Sequence, residues 1–315
     1  MGLFAIFLTF FIWSTSFPLG KATLEHSPPL FLTGVRMMIA GVIILTLVFF
    51  FRKKDFKVKK KQLLPLFLLS ISSIYLTNAL EFWGLQYLTA AKACFIYSLS
   101  PFMTALLSYF QFKEKMTAKK WLGLLVGFFG FVPVLIAQSG IEELVGGVFF
   151  LSWAEIALIG ATLTSVYGWV LLRKLGKEEG ISPLMANGIS MLVGGVFAFI
   201  HSTLVENWSE GPPIVGAGGF FKGIFLMIVI SNLICCNLYG WLLKQFTATF
   251  LSFAGLTTPL FAAFFGYVLL GESVDSIFFL SLGIIAVGLW LVYNEELRLG
   301  YMAKPVLKRL YTQSK

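Results

Sequence analysis

Four ionisable side chains stand inside long apolar runs: Arg36, Glu81, Lys92 and Glu155. Two of them share the stretch NALEFWGLQYLTAAKACFIYSLSP, residues 78–101. A charge at the centre of a membrane helix costs roughly 2.5–3.5 kcal/mol, so it belongs against a polar interior, a partner or a substrate. The four charges sum to zero, which suits a zwitterion: Lys92 or Arg36 for a carboxylate, Glu81 or Glu155 for an ammonium. Plainer readings stand beside this one. Glu81 and Lys92 flank a short hairpin at matching depth and could pair with each other. Arg36 could be a structural ion pair or helix anchor, and Glu155 could relay a proton, since an intramembrane carboxylate can titrate.

Uncharged residues extend the candidate site by helical spacing. Asn78 lies one turn before Glu81. Tyr97 lies close to Ser98 and Pro101. Ser152, Glu155, Thr162, Ser165 and Trp169 share one face, and Asn232, Cys235, Cys236 and Tyr239 share another. Trp13 and Tyr167 complete the candidate binding set. Each Ser or Thr could equally serve interhelical hydrogen bonding.

The elements that must hold these residues are membrane helices. Of 315 residues, 58% are hydrophobic and 12% charged, with a mean hydropathy of +0.86; soluble domains carry about 25% charged residues. Ten apolar runs reach bilayer length: 3–21, 29–51, 62–85, 89–111, 118–137, 146–172, 181–203, 219–243, 248–271 and 276–294. Period-two alternation is absent, which argues against a transmembrane barrel. The first run is read as a membrane helix and not a cleaved leader, because no Lys or Arg precedes Lys21 and no A-x-A-like site follows.

The net charge of +9 is a matter of topology. With ten spans, 20 of the 24 Lys and Arg residues fall on one side, in loops such as RKKDFKVKKK (52–61) and in the tail after 294. The positive-inside rule places that side, and both termini, in the cytoplasm. A nucleic-acid partner is not expected; membrane lipid and a small-molecule substrate are. In this orientation all four intramembrane charges lie in the outer half.

The chain also repeats itself. At an offset of 158, Trp83 falls on Trp241, Thr89 on Thr247, Ala90 on Ala248, Pro101 on Pro259 and Glu114 on Glu272. Near offset 154, PLFLTGVRMMIAG (29–41) falls on PLMANGISMLVGG (183–195). The expected fold is therefore an all-α membrane protein of ten transmembrane helices in two five-helix repeats, residues 1–137 and 146–294, followed by a basic cytoplasmic tail, 295–315. Five is odd, so the second repeat is inverted, an arrangement found in secondary transporters. Pro18, Pro101 and Pro259 are candidate kinks or gates within spans.

These motifs in this order resemble the EamA-type branch of the drug/metabolite transporter superfamily: WSTSFP (13–18), PPLFLTGVR (28–36), AAKACFIYSLSP (90–101), FKEK (112–115), and in the second copy TATFLSFAGLTTP (247–259) and LLGES (269–273). The resemblance covers residues 3–295. It implies ten helices, cytoplasmic termini, a central cavity lined mainly by helices 1, 3, 4, 6, 8 and 9, and small polar metabolites as cargo. Some similar carriers in obligate intracellular bacteria take up S-adenosylmethionine. Uptake of that compound, exchanged for S-adenosylhomocysteine, is the substrate expectation, with export of amino acids or other metabolites as the alternative. A sulfonium adds a positive centre suited to a carboxylate and aromatic faces. In this family the position of Lys92 is usually small or apolar, which points Lys92 towards this chain's own substrate.

Other classes find little support. There is no G-x-x-x-x-G-K-[ST] loop for ATP, no H-E-x-x-H and no G-x-S-x-G. Cys94, Cys235 and Cys236 lack metal-site spacing with a histidine. No cofactor, metal or catalytic residue is expected; a membrane-embedded enzyme would need a clustered nucleophile or metal site.

Overall fold

The computed structural model describes residues 2–112, 116–136, 144–177, 179–245, 251, 255–272 and 276–299. In chain order the helical segments are α1 (Phe4–Leu24), α2 (Pro29–Phe51), α3 (Lys60–Leu85), α4 (Ala90–Tyr97), α5 (Ser100–Phe112), α6 (Ala118–Ile136), α7 (Trp153–Gly176), α8 (Pro183–Val205), α9 (Ala217–Leu243), α10 (Thr258–Leu270) and α11 (Ser276–Leu299). Among the described residues, α1, α2, α3, α7, α8, α9 and α11 are long and apolar enough to cross a membrane. Most of residues 246–254, where the ninth sequence span begins, lies outside the described residues.

The polarity pattern is that of a membrane protein. Large apolar side chains such as Phe50, Phe51, Phe128, Phe129 and Leu204 face outwards, while Thr9, Ser70, Asn78, Ser190 and Asn232 are buried. In lipid the interior is where polar side chains find partners.

The fold corrects the sequence reading at the start of the sixth span, and at Pro101 it turns an expected kink into a break. Residues 147–152 are not helical: strands β1 (Gly147–Val148) and β2 (Leu151–Ser152) pair antiparallel, Gly147 opposite Ser152. Gly146 and Phe149 take positive φ there, 69° and 57°, which a continuing helix excludes. The fourth span is broken, α4 ending at Tyr97 and α5 starting at Ser100. Pro101 has no N–H to return to the Tyr97 carbonyl, so the ladder lapses there. Pro259 likewise stands in the first turn of α10, after the 3₁₀ turn Gly255–Thr257. Helix α1 breaks at Thr15, three residues before Pro18.

Two helices widen locally into π geometry: Ser70–Leu76 in α3 and Ile228–Cys235 in α9. Such segments concentrate at functional sites. Helices α2 and α8 cross antiparallel through small residues. A methyl placed on Gly34 would meet the Phe199 backbone at 2.8 Å, on Gly41 the Leu192 nitrogen at 2.6 Å, on Gly195 the Met38 nitrogen at 2.7 Å, and on Gly188 the Leu45 side chain at 3.0 Å. Glycine is what allows this backbone approach. Helices α6 and α11 meet in the same manner, with Gly123 and Gly127 against Gly288.

Candidate functional site

A cavity of about 200 Å³ opens at the centre of the bundle. Its wall is built from α1 (Phe10, Trp13, Ser16, Phe17), α2 (Arg36, Met37), α3 (Ser73, Thr77, Asn78, Glu81, Phe82), α4 and the break after it (Cys94, Tyr97, Ser98), α7 (Ser165, Trp169), α8 (Asn187, Ser190) and α9 (Ser231, Asn232, Cys236, Tyr239). The π segments of α3 and α9 supply Ser73, Ser231 and Asn232.

Arg36 is buried, 3% exposed. One of its Nη groups donates to Asn78 Oδ1, and the guanidinium lies 4.8 Å from the centre of the Phe82 ring. Asn78 is oriented for this by its Nδ2, which donates to the Ile74 carbonyl at 2.7 Å. Arg36 Nε has no hydrogen-bond partner among the described residues. Glu81 accepts from the Tyr97 hydroxyl at 2.6 Å. Among the described residues the cavity wall thus holds one cation and one anion, which feel each other electrostatically while each hydrogen-bonds a neutral partner.

One turn further along α1 the wall changes character. Trp13 meets Trp169 edge-on at 5.9 Å and Tyr239 at 5.5 Å, and Trp169 and Tyr239 lie 4.6 Å apart. Phe17 instead packs edge-on against Tyr97 at 5.4 Å. Asn232 turns its Nδ2 to Met37 Sδ at 3.1 Å; among the described residues neither Asn232 Oδ1 nor Ser98 Oγ has a hydrogen-bond partner. Ser16 and Ser231 join α1 to α9 by a 2.6 Å hydrogen bond.

Of the residues singled out in the sequence, Glu81, Asn78, Trp13, Tyr97, Asn232, Tyr239 and Arg36 come together on this wall, and Lys92, Glu155 and Tyr167 do not. Lys92 pairs with Glu155, Nζ to Oε1 at 2.9 Å, and not with Glu81. The reason is helical register: Lys92 lies five residues before Tyr97, about 140° around α4, so it faces α7 when Tyr97 faces the cavity. Glu155 points along the face that holds Trp169 but sits about fourteen residues before it, well above the cavity. It accepts from the Ser152 amide at 2.7 Å while Ser152 Oγ accepts from the Glu155 amide at 3.2 Å. This is a reciprocal cap on α7, and Ser152-x-x-Glu155 before an apolar run is its sequence signal. Tyr167 lies two residues before Trp169, hence on the opposite side of α7. Phe17 and Phe82 were not singled out, and Trp169 was noted only as part of a stripe; single apolar or aromatic residues in a membrane helix carry no mark that separates wall from packing.

At one end of α1 a second ion pair ties distant parts of the chain. Lys21 Nζ lies 2.8 Å from Glu272 Oε1 and donates to the Leu88 carbonyl at 2.7 Å. Both oxygens of Glu272 accept from the Ala90 amide, at 3.1 and 2.9 Å, which caps α4.

Comparison with known proteins agrees with this architecture. The EamA-like transporter family matches residues 1–136 and 152–294. The chain is 42% identical over 306 residues to an S-adenosylmethionine/S-adenosylhomocysteine transporter of Chlamydia muridarum (strain MoPn / Nigg), covering 96% of this chain and 94% of that protein. It is also 42% identical to the protein of the same name in Chlamydia trachomatis serovar D, covering 96% and 92%. An uncharacterized inner membrane transporter of Escherichia coli (strain K12) is 24% identical, covering 96% and 93%. A crystal structure superposes with a TM-score of 0.68 at 17% identity, covering 93% of this chain and 97% of the other, a likeness of fold.

Proposed function

The chain belongs to the EamA-like transporter family, and from that premise we propose that it is a secondary carrier that takes up S-adenosylmethionine across a bacterial inner membrane in exchange for S-adenosylhomocysteine. The observation that carries this reading is the cavity's pair of opposite charges, which feel each other electrostatically but make no direct contact. Arg36 rests on Asn78 and Phe82, and Glu81 rests on Tyr97. A buried charge that no opposite charge touches directly is costly. A zwitterion supplies both opposite charges at once, a carboxylate to Arg36 and an ammonium to Glu81. The relatives' names give the compound; its amino-acid end fits these two groups.

Alternating access between two inverted repeats is the mechanism we infer. The ten-helix reading is supported by symmetry on two levels. The π segments of α3 and α9 stand at the same offset, 158, as the sequence repeat. The contacts of α2 with α8 are reciprocal: Gly34 with residue 199 matches Gly188 with residue 45 at offset 154, and Gly41 with residue 192 matches Gly195 with residue 38. Two equivalent halves facing opposite ways can exchange roles at similar energy. The distribution of Lys and Arg supports cytoplasmic termini.

The test is uptake of labelled S-adenosylmethionine by cells producing the full chain. Saturable uptake, accelerated by preloading with S-adenosylhomocysteine and blocked by it from outside, is expected. No uptake by cells that hold the protein in their membranes would sink the substrate and turn the reading to an exporter of amino acids.

A further inference from the structure

On the reading that this cavity holds the substrate, we propose that it is divided into two poles: Arg36 and Glu81 take an α-amino-acid group, and Trp13, Trp169 and Tyr239 take a purine ring joined to it.

The division is visible along α1. Phe17 packs against Tyr97, the partner of Glu81. Trp13, one turn away, packs instead against Trp169 and Tyr239. The three rings come from α1, α7 and α9 and all border the cavity. Their contacts with one another are edge-on or tilted. They are therefore already in contact, and a ring stacks on the face they turn to the cavity, not between them. Stacking on aromatic side chains accepts any purine, because it uses the π face and not the ring's edge. The same faces are electronegative and attract a cation such as a sulfonium lying between the poles. Asn232 Oδ1 and Ser98 Oγ, buried on the wall without partners among the described residues, offer hydrogen bonds to the linking portion. The arrangement accommodates both members of an exchange pair: the amino-acid and purine ends are common to both, and the positive sulfur is met by ring faces that need no carboxylate.

A planar ring attached to an amino acid is also found in tryptophan, so the competitors must separate the two sources. Uptake of labelled S-adenosylmethionine by cells producing the full chain is measured against unlabelled S-adenosylhomocysteine, methionine, adenosine and tryptophan. S-adenosylhomocysteine should compete best, methionine and adenosine each weakly, and tryptophan no better than methionine. Trp169→Leu and Tyr239→Leu should weaken competition by adenosine and S-adenosylhomocysteine about tenfold and leave that by methionine intact. Arg36→Gln should weaken methionine and leave adenosine intact. Trp169→Phe and Tyr239→Phe, which keep a ring, should restore most of the loss and so separate lost stacking from lost folding. The proposal is overturned if adenosine does not compete with the wild type, if tryptophan matches S-adenosylhomocysteine, or if the leucine variants weaken methionine and adenosine alike. If wild-type protein takes up no S-adenosylmethionine, the purified chain is titrated with adenosine and methionine while its tryptophan fluorescence is followed. A change with adenosine that Trp13→Phe and Trp169→Phe together abolish keeps the aromatic pole and rejects the transport reading; no change with any purine rejects both.

Discussion

Removing Lys92 strands Glu155 in a place without water. The Glu155 side chain is fully buried and that of Lys92 is 8% exposed, and breaking such a pair from one side costs about 3–5 kcal/mol, whereas replacing both members can be nearly neutral. Lys92→Met should therefore lower the midpoint of thermal unfolding in detergent sharply. Lys92→Met combined with Glu155→Gln, which keeps an acceptor for the Ser152 amide, should regain most of the stability and near wild-type uptake. A stable double variant without uptake would return the pair to the transport pathway. On the proposed reading Arg36 and Glu81 behave oppositely, because the partner each contacts directly is the cargo. Arg36→Gln and Glu81→Gln should each lower kcat/KM for uptake about thirtyfold or more, equivalent to about 2 kcal/mol, with little change in unfolding. Arg36→Lys should not rescue, since an ammonium has neither the flat face that lies on Phe82 nor the forked geometry of a guanidinium. Wild-type kinetics in Glu81→Gln would remove Glu81 from the site.

Among the elements, α2 and α8 are held at a distance only glycine permits. Gly41→Ala places a methyl 2.6 Å from the Leu192 backbone, where no rotamer change can relieve it, and overpacking of this kind costs about 1–3 kcal/mol. A fall in unfolding midpoint is expected, and the same from Gly195→Ala at the symmetry-related contact; an unchanged midpoint in both would mean that the helices can part freely. This level also shows what a sequence can and cannot disclose. The apolar runs and the candidate kink at Pro101 are one-dimensional features, and most of the described helices follow them. Lys92 pairing with Glu155 depends on rotation about α4, and a short hairpin placing Lys92 level with Glu81 says nothing of that angle. Depth and charge alone put the wrong partners together, whereas Ser152-x-x-Glu155 contained the right answer for Glu155. Gly146 and Gly147 likewise announced a turn within what hydropathy alone counted as helix.

At the scale of the whole molecule, the expected orientation rests on where Lys and Arg accumulate. Green fluorescent protein fused after residue 315 should fluoresce, and alkaline phosphatase fused after Ser209 should be active; the reverse result would invert the topology. The cavity was legible in part because polar residues in hydrocarbon are rare and conspicuous, as with Glu81, Asn78 and Asn232. Its aromatic lining was harder to read, since this chain has 34 phenylalanines and 8 tryptophans, most with lipid or one another to pack against. The π segments left no mark in the sequence. Yet each is a residue of slack wound into a helix that borders the cavity. Drawing one of them into regular α geometry turns everything beyond it by about 100° and slides it by about 1.5 Å. In α9 that turn would carry the Cys236–Tyr239 face away from Trp13 without opening a hinge anywhere, so the grip on a bound ring is released by twisting only the part of one helix that follows its π segment.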